Sequence, residues 1–236
     1  MDPLARLAAL EGVASGMAST RDGIDAMLRD RGLRRTAPEM TGQSLLIGAH
    51  ASAVLEGSTS VFERMEAGEY DEVAAAAIRV STELLGLAPT LGTSPLQVLA
   101  RLHTLAAKGV VADEDLGRPV QGAARLSDLS HLLLEDTTAP ALVAAAVAHA
   151  ELISVAPFVS HNGIVARAFE RLIMVARGVD PTSLVVPEAG HLASRREYES
   201  NLRAYRDGGT AGVHAWLLYA ASAYAAGANA SPLKNP

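Results

Sequence analysis

Apolar residues recur along this chain at three- and four-residue spacing, the period of helices with one buried face. Leu4, Leu7 and Leu10 open the pattern behind Asp2 and Pro3, a cap and a first-turn proline that predict a helix start. A second helix is expected over 21–31. The polar stretch GLRRTAPEMTGQ, carrying Gly32 and Pro38, reads as a loop, and SLLIGAHASAVLEG then resumes the helical pattern up to a stop at Gly57. Further helices are predicted over 69–85, over 94–108 with Ser94 capping and Pro95 behind it, and over 125–135. The intervening GVVADEDLGRPVQG lacks periodicity and reads as a loop or as one short β-hairpin near 110–122, the single candidate for strand. Residues 138–155 are apolar nearly all round, which places them at the centre of a bundle. Pro157 ends that helix and GIVARAFERLIMVARG follows, closing at Gly178. Asp180 and Pro181 predict a restart, two last helices are expected at 194–206 and 211–226, and the tail 229–236 reads as frayed.

Composition narrows the fold class to all-α. Apolar residues make up 49% of the chain but aromatics only 4%, so the core is filled by Ala, Leu and Val, as suits closely packed helices better than a sandwich. A length of 236 residues suffices for one large helical domain, 41–228, with an N-terminal helical extension over 1–40 and a disordered tail over 229–236. The formal charge of −6, with no basic cluster longer than Arg34-Arg35, argues against a nucleic-acid surface. The absence of cysteine removes disulfides, thiol catalysis and the usual thiolate zinc sites. MDPLARLAAL lacks the features of an export signal, so a cytoplasmic location is expected. The apolar run 139–155 is shorter than the roughly 20 residues that cross a bilayer, and His149 and Glu151 interrupt it, so no membrane is expected.

The chemistry concentrates in APFVSHNGIVAR, residues 156–167. Taken alone it is a turn between two helices, with Asn162 or Ser160 available as cap, whose free amides at a helix start can receive a phosphate. The segment resembles the signature loop of the Fic (Fido) family, His-Pro-Phe-x-Asp/Glu-Gly-Asn-Gly-Arg-x-x-Arg: Pro157, Phe158, Asn162, Gly163 and Arg167 match in register. Upstream, Ser52, Glu56 and Gly57 match the Ser/Thr-x-x-x-Glu-Gly/Asn motif on the inhibitory helix of self-inhibited members, here expected over 43–57. The resemblance spans 44–205 and implies an all-helical fold and transfer of AMP from ATP to a protein hydroxyl.

The resemblance also implies what this chain lacks. Ala156 stands at the general-base position, Ser160 at that of the magnesium-holding carboxylate, His161 at the first loop glycine and Ile164 at the first arginine. Loss of a general base alone costs about 10²- to 10⁴-fold in rate. No catalytic set is intact, and bound magnesium is not expected. Asn162, Gly163 and Arg167 remain to receive a nucleotide or phosphate, and Glu56 is expected to pair with Arg167. That pair, if buried, would be worth about 3–5 kcal/mol against loss of one member. The function this implies is that of a degenerate Fic-like protein acting by binding a nucleotide or a protein partner. The alternative is an active protein adenylyltransferase (AMPylator) with rearranged groups, self-inhibited by Glu56, in which His161 substitutes as base.

The remaining polar residues read more plainly. Ser160 and His161 are adjacent and are not expected to point at one another. His149 and Glu151, two apart, diverge and find separate partners in the bundle. His50, His103, His131, His191 and His214 show no ligand spacing and read as surface or interface residues. Arg195 to Glu199 reads as a solvated face, whereas Tyr198, Leu202 and Tyr205 recur at core spacing.

Overall fold

A helix without a polar face has to be surrounded, and the one at Ala141–Val155 is: Leu142 to Ala150 are buried without interruption. The structure, a computed structural model, describes residues 2–29 and 33–234, with backbone alone for 33–37. Every regular element among the described residues is helical and none is a strand. In chain order the helices begin α1 (Pro3–Ala8), α2 (Val13–Leu28), α3 (Leu33–Leu55), α4 (Phe62–Glu66) and α5 (Glu72–Glu83). They continue as α6 (Ala88–Leu91), α7 (Pro95–Ala107), α8 (Ala123–Leu134), α9 (Ala141–Val155) and α10 (Asn162–Ala176). The chain closes with α11 (Pro187–Ala193), α12 (Arg195–Asp207) and α13 (Gly209–Asn229).

The antiparallel pair α9 and α10 forms the centre, and the other elements wrap it. α12 and α13 pack together against α9, α11 bridges α13 and α3, α5 covers α3, and α2 lies outside α13. Close approach rests on small side chains: at Gly190 in α11, a Cβ would run into the Ala223 carbonyl of α13. Trp216 of α13 fills the deepest layer and donates its indole N–H to the Ala146 carbonyl of α9 at 2.8 Å. Among the described residues, no helix is long and apolar enough to cross a membrane.

Several boundaries read from the sequence are corrected. The loop expected over 32–43 is helical from Leu33 onward, with Pro38 inside α3. A proline in the second turn removes a single ladder bond, and packing of α3 on α5 and α11 outweighs it. Gly32 and the expected helix end at Arg31 lie outside the described residues. The second helix starts at Val13, because Val13, Met17, Thr20 and Ile24 form a buried stripe and the Thr20 hydroxyl donates to the Ala221 carbonyl at 2.9 Å.

The candidate hairpin near 110–122 is irregular, with one 3₁₀ turn at Asp113–Asp115. Its donors go to the end of α9 instead of across a hairpin. Val120 N–H donates to the Pro157 carbonyl at 2.8 Å, and the Gln121 amide to those of Val155 and Ala156 at 2.9 Å each. Asp180 likewise caps no helix. Its carboxylate accepts from Val185 N–H at 2.6 Å and from the Thr182 hydroxyl at 3.2 Å, Ser183 takes φ 54°, and the next helix waits until Pro187. Ser231 and Pro232, in the stretch expected to fray, are buried, and 235–236 lie outside the described residues.

One carboxylate fixes the turn that follows α3. Asp71 caps α5 through Ala74 N–H at 2.9 Å and also accepts from the Ser58 hydroxyl at 2.7 Å and Thr59 N–H at 3.1 Å. Asp71→Ala is expected to lower stability by about 1–2 kcal/mol in urea denaturation.

Candidate functional site

The two motifs meet where α3 ends and α10 begins. Glu56 is the first residue past α3, and Gly57, at φ 92°, turns the chain away. Arg167, one turn into α10, is buried, and each of its nitrogens is used. Nη2 donates to Glu56 Oε1 at 2.8 Å and to the Ser52 carbonyl at 3.1 Å, Nε to Ser52 Oγ at 2.9 Å, and Nη1 to the Tyr198 hydroxyl at 3.3 Å. Burial alone would lower the arginine's pKa, but Tyr198 and Glu56 hold it above the ordinary value. The Glu56 side chain keeps 33% of its surface exposed, so the pair joins a buried cation to a half-open anion. A Cβ at Gly163 would strike the Glu56 carboxylate, which therefore lies directly over the first turn of α10. Negative charge is favoured there by the helix dipole and by amides without intrahelical acceptors.

Ser52, Glu56, Gly163 and Arg167 are thus brought together, and Asn162 is placed beside them with a different task. Its Oδ1 accepts from Phe158 N–H at 2.9 Å and its Nδ2 donates to the Phe158 carbonyl at 2.8 Å, so the side chain cinches the loop. It caps nothing: His161, at φ 56°, precedes α10. That left-handed backbone corrects another expectation, since it swings the imidazole back until Nδ1 is 2.7 Å from Ser160 Oγ. Burial pushes the His161 imidazole below its ordinary pKa, against the pull of Glu56. Ala156, also left-handed at φ 44°, carries only a methyl group at the base position. Magnesium does not fit these residues: Ser160 turns its hydroxyl to His161, and the carboxylate over Gly163 is committed to Arg167.

The loop is held from below by a residue expected at the surface. His103 is fully buried, stacks on Phe158 with ring centroids 4.1 Å apart at 4°, and accepts Gly117 N–H on Nδ1 at 2.9 Å. Burial lowers its pKa to about 4, with His161 adding to the effect.

Behind Arg167 runs a polar network missed in the sequence. Burial pushes the Tyr198 phenol up to about 12, so it stays protonated, and its oxygen is 2.8 Å from His149 Nε2. Glu170, on the buried face of α10, has Oε2 2.9 Å from His149 Nδ1 and 3.0 Å from His191 Nε2. His191, another expected surface residue, is wholly buried. Burial would raise the Glu170 pKa, but the two imidazoles hold it far below the carboxylate range. Arg171, one turn beyond Arg167, donates to Ser44 Oγ at 2.7 Å, Ser183 Oγ at 2.8 Å and Glu188 Oε2 at 3.2 Å. Two arginines of α10 therefore grip α3, one at Ser44 and one at Ser52. Sequence held one signal for this layer: Arg167, Glu170 and Arg171 are charges within an otherwise apolar stretch from Gly163 to Met174, all of it buried, and buried charges require partners.

No protein-family model matches the sequence, and no curated protein matches it. The fold does have counterparts among solved structures. A Fic family protein from Desulfovibrio desulfuricans G20 superposes with a TM-score of 0.71 at 18% identity, over 92% of this chain and 74% of that one. Fic-1 from C. elegans superposes with a TM-score of 0.70 at 19% identity, over 91% and 69% of the two chains. A glutamate-to-glycine variant of the same protein gives 0.68 at 20% identity, over 90% and 70%. The chain has a Fic-like, all-α fold.

Proposed function

We propose that this chain is a catalytically degenerate Fic-like protein, one that works by binding and does not transfer AMP. The observation that carries the reading is the closure of the loop on itself. Arg167 is saturated by Glu56, Ser52 and Tyr198, and the Glu56 carboxylate covers Gly163, where an anionic group would otherwise rest. The base position holds Ala156 and the carboxylate position Ser160, so two contributions to rate are lost together, the first alone worth about 10²- to 10⁴-fold. The ligand class is a nucleotide or other phosphate-bearing molecule at Gly163 and Arg167, admitted when Glu56 withdraws, with a protein partner as the other source of function.

A second reading has one observation in its favour, the 2.7 Å contact of His161 with Ser160. A neutral imidazole inside the loop is a base of the right kind, and it would make the chain an active adenylyltransferase held off by Glu56. Incubation of the wild type and Glu56→Gly with labelled ATP and magnesium separates the two readings. No transfer by either protein is expected, whereas transfer by Glu56→Gly that disappears in a further His161→Ala change would establish the second. Thermal shift with ATP, ADP and AMP tests the ligand. Glu56→Gly is expected to gain about 2.7 kcal/mol at a hundredfold excess over Kd, and no response at millimolar nucleotide would leave the protein partner.

A further inference from the structure

We infer that His149, Glu170 and His191 form a closed binding site for a divalent transition-metal ion of the zinc class. The three side chains come from α9, α10 and α11, and one donor atom of each converges on a common point: His149 Nδ1, Glu170 Oε2 and His191 Nε2 lie within 4.8 Å of one another, all fully buried. Two of the separations are 2.9 and 3.0 Å. Neighbouring donors of a tetrahedral ion with bonds of about 2.0–2.1 Å lie about 3.3 Å apart, so these two separations would open by a few tenths of an ångström to receive an ion.

What points to an ion is how the atoms are aimed. His149 Nδ1 has no hydrogen-bond partner although Glu170 Oε2 is so near. The nitrogen and oxygen are close, yet the ring does not direct an N–H along the line between them. The far atom of every group is meanwhile fixed by a tyrosine hydroxyl: His149 Nε2 by Tyr198 at 2.8 Å, His191 Nδ1 by Tyr219 at 3.0 Å, and Glu170 Oε1 by Tyr224 at 2.6 Å. Partners of this kind set the orientation of metal ligands from behind, and the 3.0 Å hydrogen bond between His191 Nε2 and Glu170 Oε2 is the one contact an ion would replace. With the ion bound, each imidazole carries its remaining proton on the nitrogen facing tyrosine, and the proton displaced from the ligand side passes to solvent.

Two imidazoles and one carboxylate form a donor set suited to zinc, no thiolate is needed, and a trapped water would complete the tetrahedron. Being sealed under Trp216, the ion would tie three helices together and take no part in chemistry at the loop.

The untagged full-length chain, unfolded in guanidinium with chelator and refolded with or without zinc, tests the site. The expected result is uptake of about one equivalent of zinc measured by elemental analysis, a higher Tm than the metal-free protein, and an intense tetrahedral visible spectrum when cobalt replaces zinc. His191→Gln and Glu170→Gln are expected to lose the uptake and the spectrum. Refolding to the same Tm with no metal retained would overturn the proposal and leave a hydrogen-bonded core, as would retention of the metal by both variants. The wild-type comparison decides the matter even where a variant does not fold.

Discussion

Glu188→Gln is expected to lower stability by about 3–5 kcal/mol in guanidinium denaturation, the largest loss on the face of the fold that carries the loop. The side chains of Arg171 and Glu188 are 2% and 5% exposed. A guanidinium does not discharge when its partner is neutralised, so the change leaves a full positive charge in the core facing the oxygens of Ser44 and Ser183, with Asp180 as its remaining anionic neighbour. Replacing both members at once, with Arg171→Met and Glu188→Leu, removes the charge together with its partner and is expected to recover most of the loss. A loss below about 1 kcal/mol in Glu188→Gln would show that the serine oxygens alone suffice.

Glu56→Gly removes the other carboxylate facing an arginine of α10, yet its expected cost is only about 1 kcal/mol or less. Glu56 is one-third exposed, and Arg167 keeps both contacts to Ser52 and the one to Tyr198. The 3–5 kcal/mol that the sequence suggested for a buried Glu56–Arg167 pair therefore belongs to Arg171–Glu188. The difference gives α3 two parts. Its body is fastened through Ser44 and Ser52, while the carboxylate at its end can withdraw without releasing the helix. Access to Gly163 then needs a side-chain movement and not the departure of α3.

The helical class was legible because alanine-rich segments with period 3.6 offer no other regular structure. The meeting of Ser52, Glu56, Gly163 and Arg167 was legible because the two motifs resemble paired motifs of a known family. Boundaries failed where tertiary packing overrode a local breaker, as at Pro38, or where a polar side chain bonded elsewhere, as with Asp180. The buried cluster was illegible for another reason. His149, Glu170 and His191 lie on three separate helices, so no spacing within one element links them, and His191, a lone histidine, reads as a surface or interface residue. Ser160 and His161 were misjudged because their contact depends on one left-handed residue that nothing nearby in the sequence requires.

His103 gives the acid response of the loop its sign. Its pKa falls from 6.5 to about 4 on folding, chiefly through burial. Below pH 6.5 the unfolded chain takes up a proton that the folded chain refuses until about pH 4, so stability is complete above that window and is lost as pH falls through it. At about 1.4 kcal/mol per unit the loss reaches about 3 kcal/mol. His103→Gln has no such proton to take up, and its plot of unfolding free energy against pH is expected to be flatter than the wild type's by about 2–3 kcal/mol between pH 7 and pH 4. Glu170, His149 and His161 also weaken the fold in acid, but both proteins contain them, so they largely cancel in the difference, His161 less fully because it lies close to His103. Parallel profiles would mean that His103 accepts a proton in place, with water reaching Nε2. The slope is diagnostic where the level is not, because glutamine also loses the stack on Phe158 and lowers stability at every pH. A flatter profile at lower overall stability would assign His103 both roles: the ring that positions the loop's aromatic residue, and the group whose burial keeps that position closed to protons.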